Sequence, residues 1–259
     1  MIDKNIVAII QARMGSTRLP GKVLLKIQGK PILWHIVNRL KFSKYINNIV
    51  ISTSTSRSDD KIELFAKGNN IDFFRGSEND VLDRVYKTAL KFSADTILRI
   101  TGDCPCVDPF LIDNLIKMFE TQKYDYVAIA TGAGAINIKE NKFPDGLDAE
   151  YFSFETLKNT WENAKSPIER EHVTPYMWKV KGRFRNGTLY SKNDYSNIRL
   201  TLDHKEDLNL IKKIYNALYE KDRCFNLKDI IKLIESNPIL VEMNKKFIGK
   251  EKYEEIWNN

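Results

Sequence analysis

The sequence predicts an α/β protein with a mainly parallel, mixed central sheet and helices on both faces, in a Rossmann-like arrangement. Three observations lead there. Apolar runs of strand length alternate with amphipathic, helix-like segments through the first half of the chain. The connections are short, which calls for right-handed crossovers between parallel strands. The first apolar run, NIVAII (residues 5–10), is continuous rather than alternating, the pattern of a strand covered on both faces.

The elements follow in order. PILWHIVNRL places Pro31 at a helix start and Ile32, Leu33, Ile36, Val37 and Leu40 on one face. NIVIST (48–53) is a second strand, followed by a polar stretch and a short helix over about residues 61–67. IDFFRG is a third strand, with a helix over about 81–92 behind it, and DTILRIT (95–101) is a fourth, ending at Gly102-Asp103. The second half is more mixed. YDYVAIAT reads as a strand, KFPDGLDAEYF as a loop running into a short strand, and SFETLKNTWENA and IEREHVTPYMWKV as helical. The Asn-Gly pair in FRNGTLY predicts a hairpin turn. NIRLTLD reads as a strand, Leu208, Ile211, Tyr215 and Leu218 mark an amphipathic helix, and the tail from Asn226 is helical. The glycine-alanine stretch within residues 127–141 receives no assignment.

Hydrophobic residues make up 42% of the 259 and charged residues 29%, the balance of a soluble globular protein. The net charge of +7 suits an anionic ligand, but the basic residues are scattered, without the aromatic-basic patterning of nucleic-acid binding. No nucleic acid or membrane partner is expected, since no apolar run reaches the roughly 20 residues of a membrane helix. Three cysteines (Cys104, Cys106 and Cys224) make no disulfide framework and fit a reducing, cytoplasmic setting.

Ligands of parallel sheets sit outside the carboxyl ends of the strands, so chemistry is sought in QARMGSTRLPGK, STSTSRSDD, RGSEND and TGDCPCVD. The first of these imitates a Walker P-loop and fails the pattern. One residue too many separates Gly15 from Gly21, Val23 stands where Ser or Thr would bind magnesium, and Pro20 lacks an N–H. What remains is a cationic clamp: Gln11 and Ala12 close the strand, Gly15, Ser16 and Thr17 supply backbone and hydroxyl donors, and Arg13, Arg18 and Lys22 supply charge. The plainer alternative is a solvated basic turn.

IIQARMGSTRLPGKVL resembles the N-terminal signature of the cytidylyltransferases of the CMP-sugar synthetase superfamily, with its nearest likeness in the spore-coat-polysaccharide (SpsF-type) branch. RGSENDVLDRVY, RITGDCPCVDP, FPDGLDAEYF, EREHVTPY and LTLDHKEDL resemble that branch's later motifs in the same order. The resemblance implies a nucleotidyltransferase fold using CTP and an anionic small-molecule acceptor, with Mg²⁺ (or Mn²⁺) as cofactor. Asp103 is then a metal ligand, a role that also suits a carboxylate at a strand end beside a triphosphate clamp. Asp203 is implied as the second metal carboxylate, although helix capping with Glu206 competes for it. Arg13, Lys22 and Asp103 are the expected catalytic groups.

Thr53 and Ser54 are candidates to meet the nucleotide, with a solvated polar loop the equal alternative. The resemblance favours nucleotide contact for Arg75 and Gly76 and leaves Arg84 open. On the acceptor side, Asp145, Asp148, Glu150, Arg170 and His172 are candidates, whereas His35 and the cysteines read as structural. The whole chain, 1–259, reads as one nucleotidyltransferase domain: 1–123 mainly binds nucleotide, 124–203 binds acceptor and could dimerise, and 204–259 is helical. A homodimer is left open. Two rival readings are a nucleotide-sugar-dependent glycosyltransferase and a nucleotidyltransferase using another NTP.

Overall fold

A computed structural model describes residues 4–131 and 140–250. Its elements run β1 (Ile6–Gln11), a two-stranded ladder β2 (Lys26–Ile27) and β3 (Lys30–Pro31), α1 (Ile32–Leu40), β4 (Asn48–Ser54), α2 (Asp60–Gly68), β5 (Asp72–Gly76), α3 (Val81–Lys91), β6 (Thr96–Thr101) and α4 (Pro109–Gln122). They continue as β7 (Tyr126–Ile129), β8 (Glu150–Ser153), α5 (Phe154–Asn163), α6 (Pro167–His172), α7 (Pro175–Lys179), β9 (Asn186–Leu189), α8 (Lys205–Leu218), α9 (Leu227–Ser236) and α10 (Ile239–Glu242). Seven strands form one sheet in the order β5-β4-β1-β6-β8-β7-β9. β5, β4, β1 and β6 pair in parallel, β8 is antiparallel to both of its neighbours, and β9 is parallel to β7. This is the expected mixed sheet.

The continuous apolar run of β1 has its physical reason here, because alternate residues enter different cores. Ile6, Ala8 and Ile10 pack with Ile36 and Leu40 of α1, Ile116 of α4 and Ile211 of α8. Val7 and Ile9 pack on the other face with Leu82 and Val85 of α3, Leu157 of α5 and Met177 of α7. Each fully buried Ile, Leu or Val contributes about 1.5–3 kcal/mol of transfer free energy, so helices on both faces are what make a six-residue strand of this composition stable. Asp108 caps α4 by accepting from the Phe110 and Leu111 amides at 2.9 and 3.2 Å, with Pro109 in the first turn. Among the described residues no helix is long and apolar enough to cross a membrane.

Three expectations are corrected. Asn186-Gly187 is not a hairpin turn; it lies within β9. Gly187 is needed there because a Cβ would stand 2.6 Å from the Tyr124 ring. NIRLTLD does not form a strand. It runs extended with a single bridge, Asp145 to Arg199, and bonds Leu202 N to the Asp103 carbonyl at 2.9 Å. Its neighbour is the irregular segment around Gly146 rather than a strand, so no ladder can propagate. The helical segment at 168–180 divides into α6 and α7 at Val173, whose φ of 73° and ψ of −57°, with Thr174 N bonding His172 O at 2.9 Å, make a strained γ-turn. Of the glycine-alanine stretch, residues 132–139 lie outside the described residues.

Candidate active site

A cavity of about 570 Å³ opens at the carboxyl ends of β1 and β6. Gln11, Ala12, Arg13, Gly15, Ser16, Thr17, Arg18 and Lys22 line one wall, and Asp103, Asp145, Asp148, Glu150, His172 and Asp203 line the rest. The clamp loop is held in shape by its own backbone. Ser16 N and Gly21 N both donate to Met14 O, at 2.9 and 3.2 Å, and Gly21 takes φ +67°, which its missing side chain permits. Met14 N donates to Asp59 at 2.7 Å, which ties the loop to the far end of β4.

Five candidates stand outside the cavity lining. The Thr53 and Ser54 hydroxyls donate to buried Asp59 at 3.1 and 2.5 Å, so they brace the residue that holds Met14. Arg75 bonds Ser54 O and Ser56 O, each at 2.8 Å, and pairs with Glu63 and Asp60, knitting β4 to α2. A Cβ on Gly76 would stand 2.9 Å from Arg84 Cγ, so the glycine makes room for that arginine. Arg170 is spent on Asp80, the residue that caps α3. In each case a charged or small residue at a strand end or helix serves the scaffold around the site. His35 is buried with Nε2 2.7 Å from Ile27 O, and all three cysteines are buried, as their structural reading expects.

The floor of the cavity is an ion-pair cluster. Lys22 Nζ lies 2.7 Å from Asp103 and 2.7 Å from Asp203. Asp203 also pairs with Arg18 at 2.9 Å and Arg199 at 3.2 Å, and Arg199 reaches Asp145 at 2.8 Å and Asp207 at 3.2 Å. His204 is the N-cap of α8, and Asp207, not Glu206, is its capping-box partner, accepting the Asp203 and His204 amides at 2.9 and 2.8 Å. Burial raises the carboxyls of Asp103 and Asp203, but Lys22 outweighs it and leaves both below the ordinary aspartate value. Burial likewise works against the Lys22 ammonium, and the two carboxylates together leave its pKa raised. Asp148 differs: burial leaves its pKa raised despite the Thr131 hydroxyl and the Gly146 amide, which donates at 2.8 Å. His172 is pushed down, chiefly by burial, and so is held neutral. Among the described residues no group of three or more His, Cys, Asp or Glu is gathered for a metal.

Residues 7–245 match the family model described as cytidylyltransferase. The chain belongs to this family. It is 34% identical to the spore coat polysaccharide biosynthesis protein SpsF of Bacillus subtilis, over 90% of the chain and 95% of that protein. Over 51% of the chain, and 55% of the relative, it is 31% identical to an 8-amino-3,8-dideoxy-manno-octulosonate cytidylyltransferase of a Shewanella species. A solved cytidylyltransferase of Leptospira borgpetersenii superposes with a TM-score of 0.84 at 34% identity, covering 92% of this chain and 97% of that one.

The cytidylyltransferase cavity also contains residues that sequence reasoning missed. Arg99 projects from β6 between Gln11, which accepts from its Nε at 3.0 Å, and Glu150, its ion-pair partner. Glu150 accepts in addition from the Tyr126 and Thr174 hydroxyls, each at 2.6 Å. The signal was present: an arginine inside the apolar TILRIT is costly unless it has a buried partner or a ligand. Arg84, left open by the sequence, is 1% exposed and lines the cavity. It donates to Ser77 O at 2.6 Å, its Nε has no partner, and burial pushes its pKa down to about 10. No carboxylate pairs with it among the described residues. Amphipathic periodicity could not reveal this, because an arginine one turn along an α-helix usually reaches solvent.

Proposed function

We propose that the enzyme transfers CMP from CTP to a sugar acid or a phosphorylated acceptor, with release of pyrophosphate, for the synthesis of a surface polysaccharide or glycoconjugate. The observation that carries this reading is the convergence, in one cavity at the strand ends, of the Arg13-Arg18-Lys22 clamp with the paired carboxylates Asp103 and Asp203. The names of the relatives support a sugar acid, an octulosonate for instance, as the first acceptor to test.

The donor set fits Mg²⁺ or Mn²⁺. Two carboxylate oxygens from separate segments converge on one point, and hard oxygen donors completed by triphosphate and water are what these ions take. Asp103 and Asp203 would hold the ion, and when bound it supplies charge neutralisation at the α-phosphate. The chain's own groups do the rest. Gly15, Ser16 and Thr17 offer donors to the triphosphate, and Arg13, Arg18 and Lys22 neutralise the charge that grows on the leaving pyrophosphate. An acceptor oxygen forms its bond to the α-phosphorus as the bond to the β-phosphate bridging oxygen breaks. Asp145, Asp148, Glu150 and His172 form the acceptor wall, where neutral His172 can take a hydroxyl proton. Positioning and preorganised charge drive such a reaction, and no covalent intermediate is required.

The test is turnover with each of CTP, UTP, ATP and GTP, Mg²⁺, and a panel of sugar acids and sugar phosphates, read as pyrophosphate. CTP-dependent release with at least one acceptor is expected. Release of a nucleoside diphosphate, or a preference for another nucleotide, would overturn the reading.

A further inference from the structure

The Lys22 ammonium occupies the point where two carboxylates meet. Its Nζ is 2.7 Å from Asp103 Oδ2 and 2.7 Å from Asp203 Oδ1, so those oxygens are at most twice that distance apart. The lysine side chain is only 11% exposed, which sets it apart from a frayed surface pair. The other carboxylate oxygens are engaged elsewhere: Asp103 Oδ1 accepts the Thr101 hydroxyl at 2.6 Å, and Asp203 Oδ2 meets Arg18 at 2.9 Å and Arg199 at 3.2 Å. The ammonium therefore fills the direction that both carboxylates share.

We propose that Lys22 is an internal stand-in cation whose departure from the Asp103–Asp203 pair couples the binding of a divalent cation to that of a triphosphate. The inference rests on the nucleotidyl-transfer reading above. An ammonium and a divalent ion cannot share two oxygens, because like charges at about 3 Å repel strongly in a partly buried site. A divalent ion arriving alone has to expel Lys22 into a cavity where Arg13, Arg18, Arg84 and Arg99 already share the wall with Asp148 and Glu150, with no new anion to receive it. A triphosphate supplies that anion. Each ligand therefore raises the affinity of the other, and by linkage the two factors are equal. Charge counting gives the same direction. Asp103, Asp145, Asp203 and Asp207 face Lys22, Arg18 and Arg199, a net of −1 that becomes −2 when the lysine moves away or is replaced by an uncharged residue. The device keeps the metal site closed to a bare cation and opens it when substrate is present.

The experiment titrates nucleotide-free, full-length protein with Mn²⁺ and reads the free aquo ion by electron paramagnetic resonance. Lys22→Met should bind Mn²⁺ about tenfold or more tightly than the wild type, within the range typical of coupled sites. Lys22→Gln, a milder change, repeats the comparison, and circular dichroism melts establish that both variants fold. Mn²⁺ should also raise the Tm of either variant more than that of the wild type. Adding Asp103→Asn to Lys22→Met should abolish the gain. Equal or weaker Mn²⁺ affinity in both folded variants overturns the proposal, as does a gain that survives Asp103→Asn. Pyrophosphate release by the wild type without any gain in the variants removes this coupling alone. Absence of release with every nucleotide removes the functional reading instead.

Discussion

Asp103 stands where the clamp and the C-terminal half meet: its side chain holds Lys22 and the Thr101 hydroxyl, and its carbonyl accepts from Leu202 N at 2.9 Å. Asp103→Asn keeps most of these bonds and removes the charge, so the variant should fold while CTP-dependent pyrophosphate release falls by about 10²-fold or more. Near-normal kcat in a folded variant would refute the assignment. Two histidines, His35 buried and His172 half-buried, make a separate prediction about pH. Burial lowers both His35 and His172 from the ordinary 6.5, so near and below that value the unfolded chain binds more protons than the folded one. Stability should therefore be complete above 6.5 and decline as pH falls through it, until the folded-state values are passed. Urea unfolding at a series of pH values reads the slope, which His35→Gln should reduce.

Gly146 governs how the cavity wall of Asp145 and Asp148, the proposed acceptor side, is assembled. Its φ is +90°, and a Cβ would stand 2.2 Å from Thr201 N and 2.4 Å from the Leu200 carbonyl carbon. The contact is backbone against backbone, which cannot yield as a flexible side chain would. Gly146→Ala should cost roughly 2–4 kcal/mol through combined strain and overpacking, measured as a lower urea midpoint. Activity should fall with it, since Asp145 and Asp148 flank the residue. Val173 has the converse role. A β-branched residue in a γ-turn of positive φ is strained, and it sets the corner between His172 and Thr174, both of which line the cavity. Neither the Gly146 contact nor the Val173 turn has a periodicity, which is why NIRLTLD, against which Gly146 packs, was read as a strand and the segment through Val173 as helical.

The C-terminal segment completes the site from a distance. Asn244, 1% exposed, donates to Arg199 O at 3.0 Å and to Asp207 at 2.8 Å, so residues near the end of the described chain steady the arginine that pairs with Asp203. Asn244→Ala leaves those two acceptors without that donor and should cost about 1–3 kcal/mol in chemical unfolding. The fold as a whole should respond to substrate. CTP at about 100 times its Kd adds about 2.7 kcal/mol by mass action. For a chain of this size that raises Tm by about 5–10 °C, and UTP or ATP at the same concentration should raise it less.

The order of β1, α1, β4, α2, β5, α3 and β6 was legible because period and run length carry it: apolar runs name strands, 3.6-residue stripes name helices, and buried strands must be covered on both faces. That Arg13, Arg18, Lys22 and Asp103 lie at the carboxyl ends of the strands was legible too, because a strand end followed by donors or a carboxylate is a local pattern. What was not legible depended on partners distant in the chain. Arg75 and Arg170 resemble ligand-binding arginines until Glu63 and Asp80 are found beside them. Arg84 and Arg99 resemble ordinary charges until one is found buried with no carboxylate ion-paired to it among the described residues and the other locked to Glu150. A residue's type fixes what it can bond, but whether that bond goes to the scaffold or is kept for a ligand is settled by which side chains the fold brings within about 3 Å. Lys22 shows both parts: its charge was readable beside Gly21, and its place between Asp103 and Asp203, 81 and 181 residues away, belongs to the tertiary structure.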